Sequence, residues 1–238
     1  ECLKKRTGKT LASHEAMLYM TKVYLAVKQT AKRYSLDALA AECYPFYSGL
    51  MNLPSSWLAD EGLIVDTEGD IGHAMVMYML NQAARGGATA LGEVGSIDDE
   101  NNILSLAHEG STAHSLAADL DHVQISPSGE KGAFVGLPLR SMDCVTISSI
   151  QGNGRDGYQI LVDKASVAEA THEEWVQGGE KLLVKLQVNQ KASVMVQRLM
   201  ELGLDHHLLV KEGDYTEVMK LICKYMGVKA VCTRRACV

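Results

Sequence analysis

Residues 63–77 read LIVDTEGDIGHAMVM, and the fold turns on how this stretch divides. LIVDTE has the character of a buried strand, and DIGHAMVMYMLNQAARGG that of a helix stopped by Gly86 and Gly87. Three acids, Asp66, Glu68 and Asp70, sit at the handover. Helix capping accounts for Asp70, since Asp is a good N-cap residue and acids near a helix start interact favourably with its dipole. It leaves Glu68 unexplained: Glu is not among the preferred N-caps, and here it stands on the strand side of Gly69.

The flanking stretches continue the alternation. SHEAMLYMTKVYLAVKQTAKRY carries Met17, Met20, Val23, Tyr24, Val27 and Ala31 at helical spacing, with Ser13 as cap. LDALAAE reads as a short buried strand, NLPSSWLADEG as a short helix with Pro54 in its first turn and Gly62 beyond its end, and ATALGE as a strand. Strands alternating with helices predict a parallel sheet covered on both faces. Beyond residue 87 the rhythm changes. NNILSLAH, DHVQISPS, GAFVGLPL, CVTISSIQ, GYQILVD and KLLVKLQV are short strand-like runs separated by Gly, Ser, Asn and Asp, which predicts an antiparallel sheet or small barrel. Two helices, NQKASVMVQRLMELG and DYTEVMKLICKYMG, bracket the strand HHLLVKEG; Asp214 and Glu217 suggest a variant capping box. The expected fold is therefore α/β followed by a mainly antiparallel β domain. Residues 1–87 form a partial three-layer α/β unit, and 88–238 a small β-barrel-like C-terminal domain with two late helices.

Composition excludes several classes. The 238 residues are 47% hydrophobic and 22% charged, ordinary for a globular chain. A net charge of −6, without a basic stripe interleaved with aromatics, gives no support to a nucleic-acid partner. No apolar run reaches membrane-spanning length, and the first residues do not resemble a signal peptide. Six cysteines (Cys2, Cys43, Cys144, Cys223, Cys232, Cys237) are scattered without a C-x-x-C pair, so a reduced, cytoplasmic protein is the expectation. The opening ECLKKRTGKT, without Met, reads as the interior of a longer protein.

In open α/β sheets ligands bind beyond the carboxyl ends of strands. Glu68, Glu93 and His108 close three successive strand signals, so each would bring a proton-transfer or metal-competent side chain to one rim. Two carboxylates and an imidazole suit Mn²⁺ or Mg²⁺. Each residue alone carries little weight, because an acid after a strand is usually solvated. The adjacent pair His206–His207 is less common, yet such a pair is more often structural. His14, His114, His122 and His172 are isolated and read as surface or structural residues. GNGRDG at 152–157 lacks the Lys and following helix of a phosphate loop and reads as a hairpin turn. Met75, Met77 and Met79 read as core packing. Cys43 has no partner that would make it a nucleophile.

Taken in order, TEGDIGHAMVMYML, GEVGSIDDENNILSLAHEG and GLDHHLLVKEGDYTEVMKLICKYMGVKAV resemble the L-fucose isomerase and L-arabinose isomerase superfamily. LDALAAECYPF and NLPSSWLADEGLIVDTEGD resemble the stretch leading to the first catalytic acid of fucose-isomerase-like proteins. The resemblance runs over residues 16–231 and lacks the family's N-terminal portion. It implies that Glu68 and Glu93 are catalytic acids that also bind metal, and that His207 is the metal-binding histidine. His207 lies six positions before Gly213, as in the fucose-type segment, with His206 one residue away as the alternative. His108 resembles a fourth ligand of arabinose isomerases that fucose isomerases lack, though LAHEG departs from the HCG pattern common in the family. Asp70 remains a helix cap.

The implied activity is Mn²⁺-dependent (or other divalent-cation-dependent) aldose–ketose isomerisation of a small sugar through an ene-diol. Two carboxylates move the proton between adjacent carbons while the cation offsets charge on the sugar oxygens. The implied assembly is a homo-oligomer. Two alternatives remain at this point: a non-catalytic sugar-binding or regulatory relative, and another metal-dependent carbohydrate enzyme.

Overall fold

The computed structural model describes residues 8–42, 49–109 and 111–234; Cys43, with Cys2 and Cys237, lies outside them. The chain is mixed α/β and is built on one large, mainly antiparallel sheet. In chain order its elements are β1 (Lys9–Thr10), α1 (His14–Tyr34), β2 (Ala38–Ala40), α2 (Asn52–Asp60), β3 (Ile64–Asp66), α3 (Ile71–Ala83), β4 (Ala90–Asp98) and β5 (Ile103–His108). There follow β6 (Gln124–Ser128), β7 (Gly132–Pro138), β8 (Met142–Asn153), β9 (Gly157–Ala168), α4 (His172–Gln177), β10 (Leu182–Gln187), α5 (Ala192–Glu201), β11 (His207–Glu212), α6 (Thr216–Met226) and β12 (Lys229–Val231).

The large sheet runs β1-β6-β7-β10-β5-β4-β11-β8-β9-β12. Its outermost strands are β1 and β12, and the barrel-like expectation is met only in part, by a curl of the strands between them. The sheet curls far enough that Lys185–Gln187 of β10 also pair with Ser166–Ala168 of β9. Among the described residues, β2 and β3 form a separate sheet, parallel and two-stranded. The expectation that β4 would extend that parallel sheet is corrected: it lies antiparallel to both β5 and β11. The reason is local. Asp98 Oδ1 accepts the N–H groups of Glu100 and Asn101, closing a tight turn that folds β5 straight back along β4.

Alternation along β11 shows how the core is divided. Leu208 and Val210 enter a large cluster with Leu104, Leu106, Val135, Val145 and Leu186. Leu209 enters a smaller one with Leu91, Ile160, Val76, Leu80 and Met219 beneath α3 and α6. Both faces of this strand are covered, which is why LLV at 208–210 reads as a continuous apolar run. Met20 of α1 and Leu53 and Trp57 of α2 belong to the large cluster too, so the first helices pack against the large sheet. Along α3 the buried residues His73, Val76, Met77 and Leu80 follow helical spacing. Met77 and Met79 are core residues as expected, whereas Met75 is half exposed on the other side.

Turn and cap chemistry matches the sequence in several places. Ser13 caps α1 through the Ala16 N–H, and Asn153 Oδ1 accepts the N–H groups of Arg155 and Asp156 in the β8–β9 hairpin. A capping box that the sequence reading passed over, Thr171 with Glu174, opens α4. The box expected at α6 is incomplete. Asp214 Oδ1 accepts the Thr216 N–H and its hydroxyl, but Glu217 turns away to pair with Lys220. Among the described residues no helix is long and apolar enough to cross a membrane.

Two outcomes follow from this architecture. The Lys164 ammonium beside Asp214, with Thr216, draws the Asp214 carboxyl down to about 2. A folded-state value below the ordinary one stabilises the protein above about pH 4, and this contribution is lost as pH falls towards 2. Asp214→Asn should lower stability at pH 7 on the order of 1 kcal/mol, and urea denaturation should show the deficit shrinking as pH falls from 4 towards 3. At Gly136 in β7, an added Cβ would collide with the backbone carbonyl of Glu180. Gly136→Ala should therefore destabilise by about 1–3 kcal/mol, read from the same denaturation midpoint.

Candidate active site

The site begins at the handover that opened the sequence. β3 stops at Asp66, two residues earlier than expected, because the Asp66 side chain takes over the next backbone donors. Its Oδ1 accepts the N–H of Glu68 at 3.0 Å and of Asp70 at 2.8 Å. Gly69 completes the turn at φ +73°, a conformation that glycine adopts without strain. Asp70 then caps α3, its Oδ1 accepting the His73 N–H at 2.9 Å. Glu68 is left projecting, with its side chain 38% exposed and Oε1 3.5 Å from Nε2 of His108 at the end of β5.

Cross-strand register adds the other side chains. In the β4–β11 ladder His207 lies opposite Glu93, and on the other edge of β4 Glu93 lies opposite Ala107. Glu93 is therefore inside β4, not at its end as expected, because pairing with β5 carries the strand on to Asp98 around a bulge between Val94 and Ile97. Glu93 Oε1 stands 3.6 Å from His207 Nε2 and 3.8 Å from His206 Nε2. The rings of His206 and His207 stack at 4.3 Å, and His108 meets His207 edge-on at 6.0 Å.

The five residues singled out from the sequence thus form one continuous group: Glu68 beside His108, His108 beside His207, His207 and His206 beside Glu93. They do not share a single tight cage. Donor atoms of Glu93, His206 and His207 lie within 4.8 Å of one another, as do those of Asp70, His73 and Asp205, while Glu68 joins the first set through His108.

Electrostatics suits ligation. His108 holds the Glu68 carboxyl below the ordinary carboxylate range despite partial burial, and His207 and His206 act in the same direction. Burial, then the charge of His206, pushes the His207 imidazole down, favouring its neutral form. His207 Nε2 is buried without a hydrogen-bond partner. A neutral imidazole with an unengaged nitrogen, an ionised carboxylate and a second imidazole make a donor set that fits a divalent cation such as Mn²⁺. Asp66, by contrast, is pushed up to about 6 by burial.

The sequence reading did not single out His73 and Asp205. His73 is almost fully buried, its Nδ1 2.7 Å from Asp70 Oδ2 and its Nε2 3.2 Å from Ser149 Oγ. The signal was the D-x-x-H spacing, which puts both residues on one side of a helix start. Of the isolated histidines, His114 is buried against Asp60, and His122 stacks on His172. His14 stands at the start of α1.

No family model matches the chain. Among curated proteins it is similar to the sulfoquinovose isomerase of Alkalicoccus urumqiensis, 26% identical over 212 residues that cover 87% of this chain and 46% of that protein. It is 31% identical over 197 residues to the sulfoquinovose isomerases of Priestia aryabhattai and Priestia megaterium, covering 80% of this chain and 43% of each. The chain therefore spans less than half the length of these relatives, and over most of its own length it is similar to proteins named as isomerases of a sugar.

Proposed function

We propose that the chain carries the catalytic acids and metal ligands of an aldose–ketose sugar isomerase, with a small sugar as substrate and Mn²⁺ or a similar cation as cofactor. The observation that carries this reading is the meeting of Glu68 and Glu93, from separate elements, at a histidine group whose His207 Nε2 is buried and unpartnered. The names of the similar proteins support the reaction class, and the fucose-isomerase resemblance supports the same residues. Glu93, His207 and His206 would hold the cation, with Glu68 and His108 at its border. When bound, the cation would offset negative charge developing on neighbouring sugar oxygens.

The chain's own residues supply proton transfer. Glu68, kept ionised by His108, is suited to take the proton from the carbon next to the carbonyl. Return of a proton to the adjacent carbon, with the hydroxyl proton passing from O2 to O1, completes the change from aldose to ketose, and Glu93 is the second carboxylate available for that work. Buried His108 and partly buried His207 form the inner side of the group, while Glu68, Glu93 and His206 face solvent. The relatives' names point to sulfoquinovose, and the resemblance points to L-fucose or an arabinose. Working as a homo-oligomer is part of the same proposal.

The test is a ketose-formation assay on the chain and on the full-length product of its gene, with sulfoquinovose, L-fucose, D-arabinose and L-arabinose, each with Mn²⁺ and with EDTA. Turnover by the full-length protein should require the cation, and Glu68→Gln and Glu93→Gln should each lower kcat about 10²- to 10⁴-fold. Activity that survives both the chelator and each substitution would remove these residues from the chemistry. Cation binding without turnover of any sugar would favour a non-catalytic relative.

A further inference from the structure

Asp70, His73 and Asp205 take no part in the proposed proton transfer, yet they join the two turns that carry the reacting side chains. One turn holds Glu68 and ends in Asp70, both of whose oxygens are engaged by His73, one by its N–H and one by Nδ1. The other turn holds His206 and His207 and begins with Asp205, whose Oδ1 accepts the His207 N–H at 2.8 Å. Between them stands His73, its side chain 1% exposed, with Nε2 3.2 Å from Ser149 Oγ and 3.8 Å from Asp205 Oδ1. Its ring meets the His207 ring edge-on at 5.7 Å.

The place of this contact in the sheet matters. The β8–β11 ladder reaches Leu209 opposite Ser148 and goes no further, so His207 is paired through its backbone only to β4. On the β8 side, where the ladder has stopped, Ser149 and His73 occupy the position next to Asp205. His73 also lies on the buried stripe of α3 with Val76, Met77 and Leu80, so the helix cannot rotate it away without disturbing the core.

Resting on the isomerase reading above, we infer that His73 is a positioning residue, held by Asp70 and Ser149, which sets the spacing between the Glu68 turn and the His206–His207 turn. Side chains that orient ligands in this way tune metal affinity without touching the metal. The engaged oxygens of Asp70 and Asp205 favour anchoring over ligation for this trio.

The test is a Mn²⁺ titration of the purified full-length protein, followed by the electron paramagnetic resonance of free Mn²⁺. The parent should bind one Mn²⁺ per chain. His73→Leu, which keeps bulk and deletes both contacts, should weaken binding about 10- to 100-fold, and His73→Gln, whose amide can still reach across, should restore part of the loss. Circular dichroism monitors folding. If the Leu variant does not fold, Ser149→Ala decides: weaker Mn²⁺ binding supports the inference, and parental affinity overturns it. A folded His73→Leu protein with parental affinity overturns the positioning role while leaving the isomerase reading intact. A second Mn²⁺ per chain, lost in His73→Gln, would make the trio ligands and overturn it too. A parent that binds no Mn²⁺ fails the isomerase reading itself and removes this inference with it.

Discussion

The candidate site depends on one constraint, the antiparallel register between β4 and β11. With His207 opposite Glu93, the imidazole and the carboxylate come within 3.6 Å of each other. A slip of one residue would send every side chain of β11 to the opposite face. That slip is opposed on both sides of the sheet, since Leu208 and Val210 are buried in the large cluster and Leu209 in the small one. It is opposed again at the far end of the strand. Lys211 is buried, and its Nζ donates to the carbonyls of Gly86, Gly87 and Ala88 and to Asn81 Oδ1. Burial pushes this ammonium down to about 8, and the carbonyls of the α3–β4 connection are its partners. Lys211 thus ties the α3–β4 connection to β11, while His207 faces Glu93 four residues away.

A second feature is the density of buried polar groups around the site. Asp66, His73, His108 and Ser149 are all buried. Such groups are stable only when hydrogen-bonded, and most of them are: Asp66 holds the Glu68 turn, while Asp70 and Ser149 hold His73. The exceptions are informative. His207 Nε2, His108 Nδ1 and Asp66 Oδ2 lack partners, and all belong to residues at or next to the meeting of Glu68 with the histidines. Buried polar atoms without a hydrogen-bond partner occur elsewhere too, at Trp57 Nε1, Thr112 Oγ1 and Arg198 Nε, but beside Glu68 they stand among other ionisable groups.

Legibility in the sequence followed the range of the interaction. Elements set by neighbouring residues were readable. The Ser13 cap, the Asn153 hairpin, the Gly-terminated α3 and the alternation of β11 all rest on contacts within a few residues. Where the reading erred, a side chain had redirected the backbone. Asp66 ended β3 before Glu68, the Asp98 turn folded β5 onto β4, and Glu217 chose Lys220 over the cap of α6. The two ends of the large sheet were beyond reach, because β1 pairs with β6 and β12 with β9 across long stretches of chain.

By itself the sequence determined which chemistry the chain could hold: two acids and a histidine pair, each placed beside a strand signal, in the order that resembles the sugar isomerases. Residue type and local spacing are enough for that, since capping, periodicity and metal-ligand preference act over a turn or two. Only the tertiary structure decided which of them meet. Glu68 reaches the group through His108, and Glu93 reaches it from within a strand, facing His207. His73, buried on α3, stands between Asp70 and Ser149 with Asp205 Oδ1 3.8 Å from its Nε2. Hydrogen-bond register and the packing of α3 against the sheet set those distances, and both arise from contacts between residues far apart in the chain.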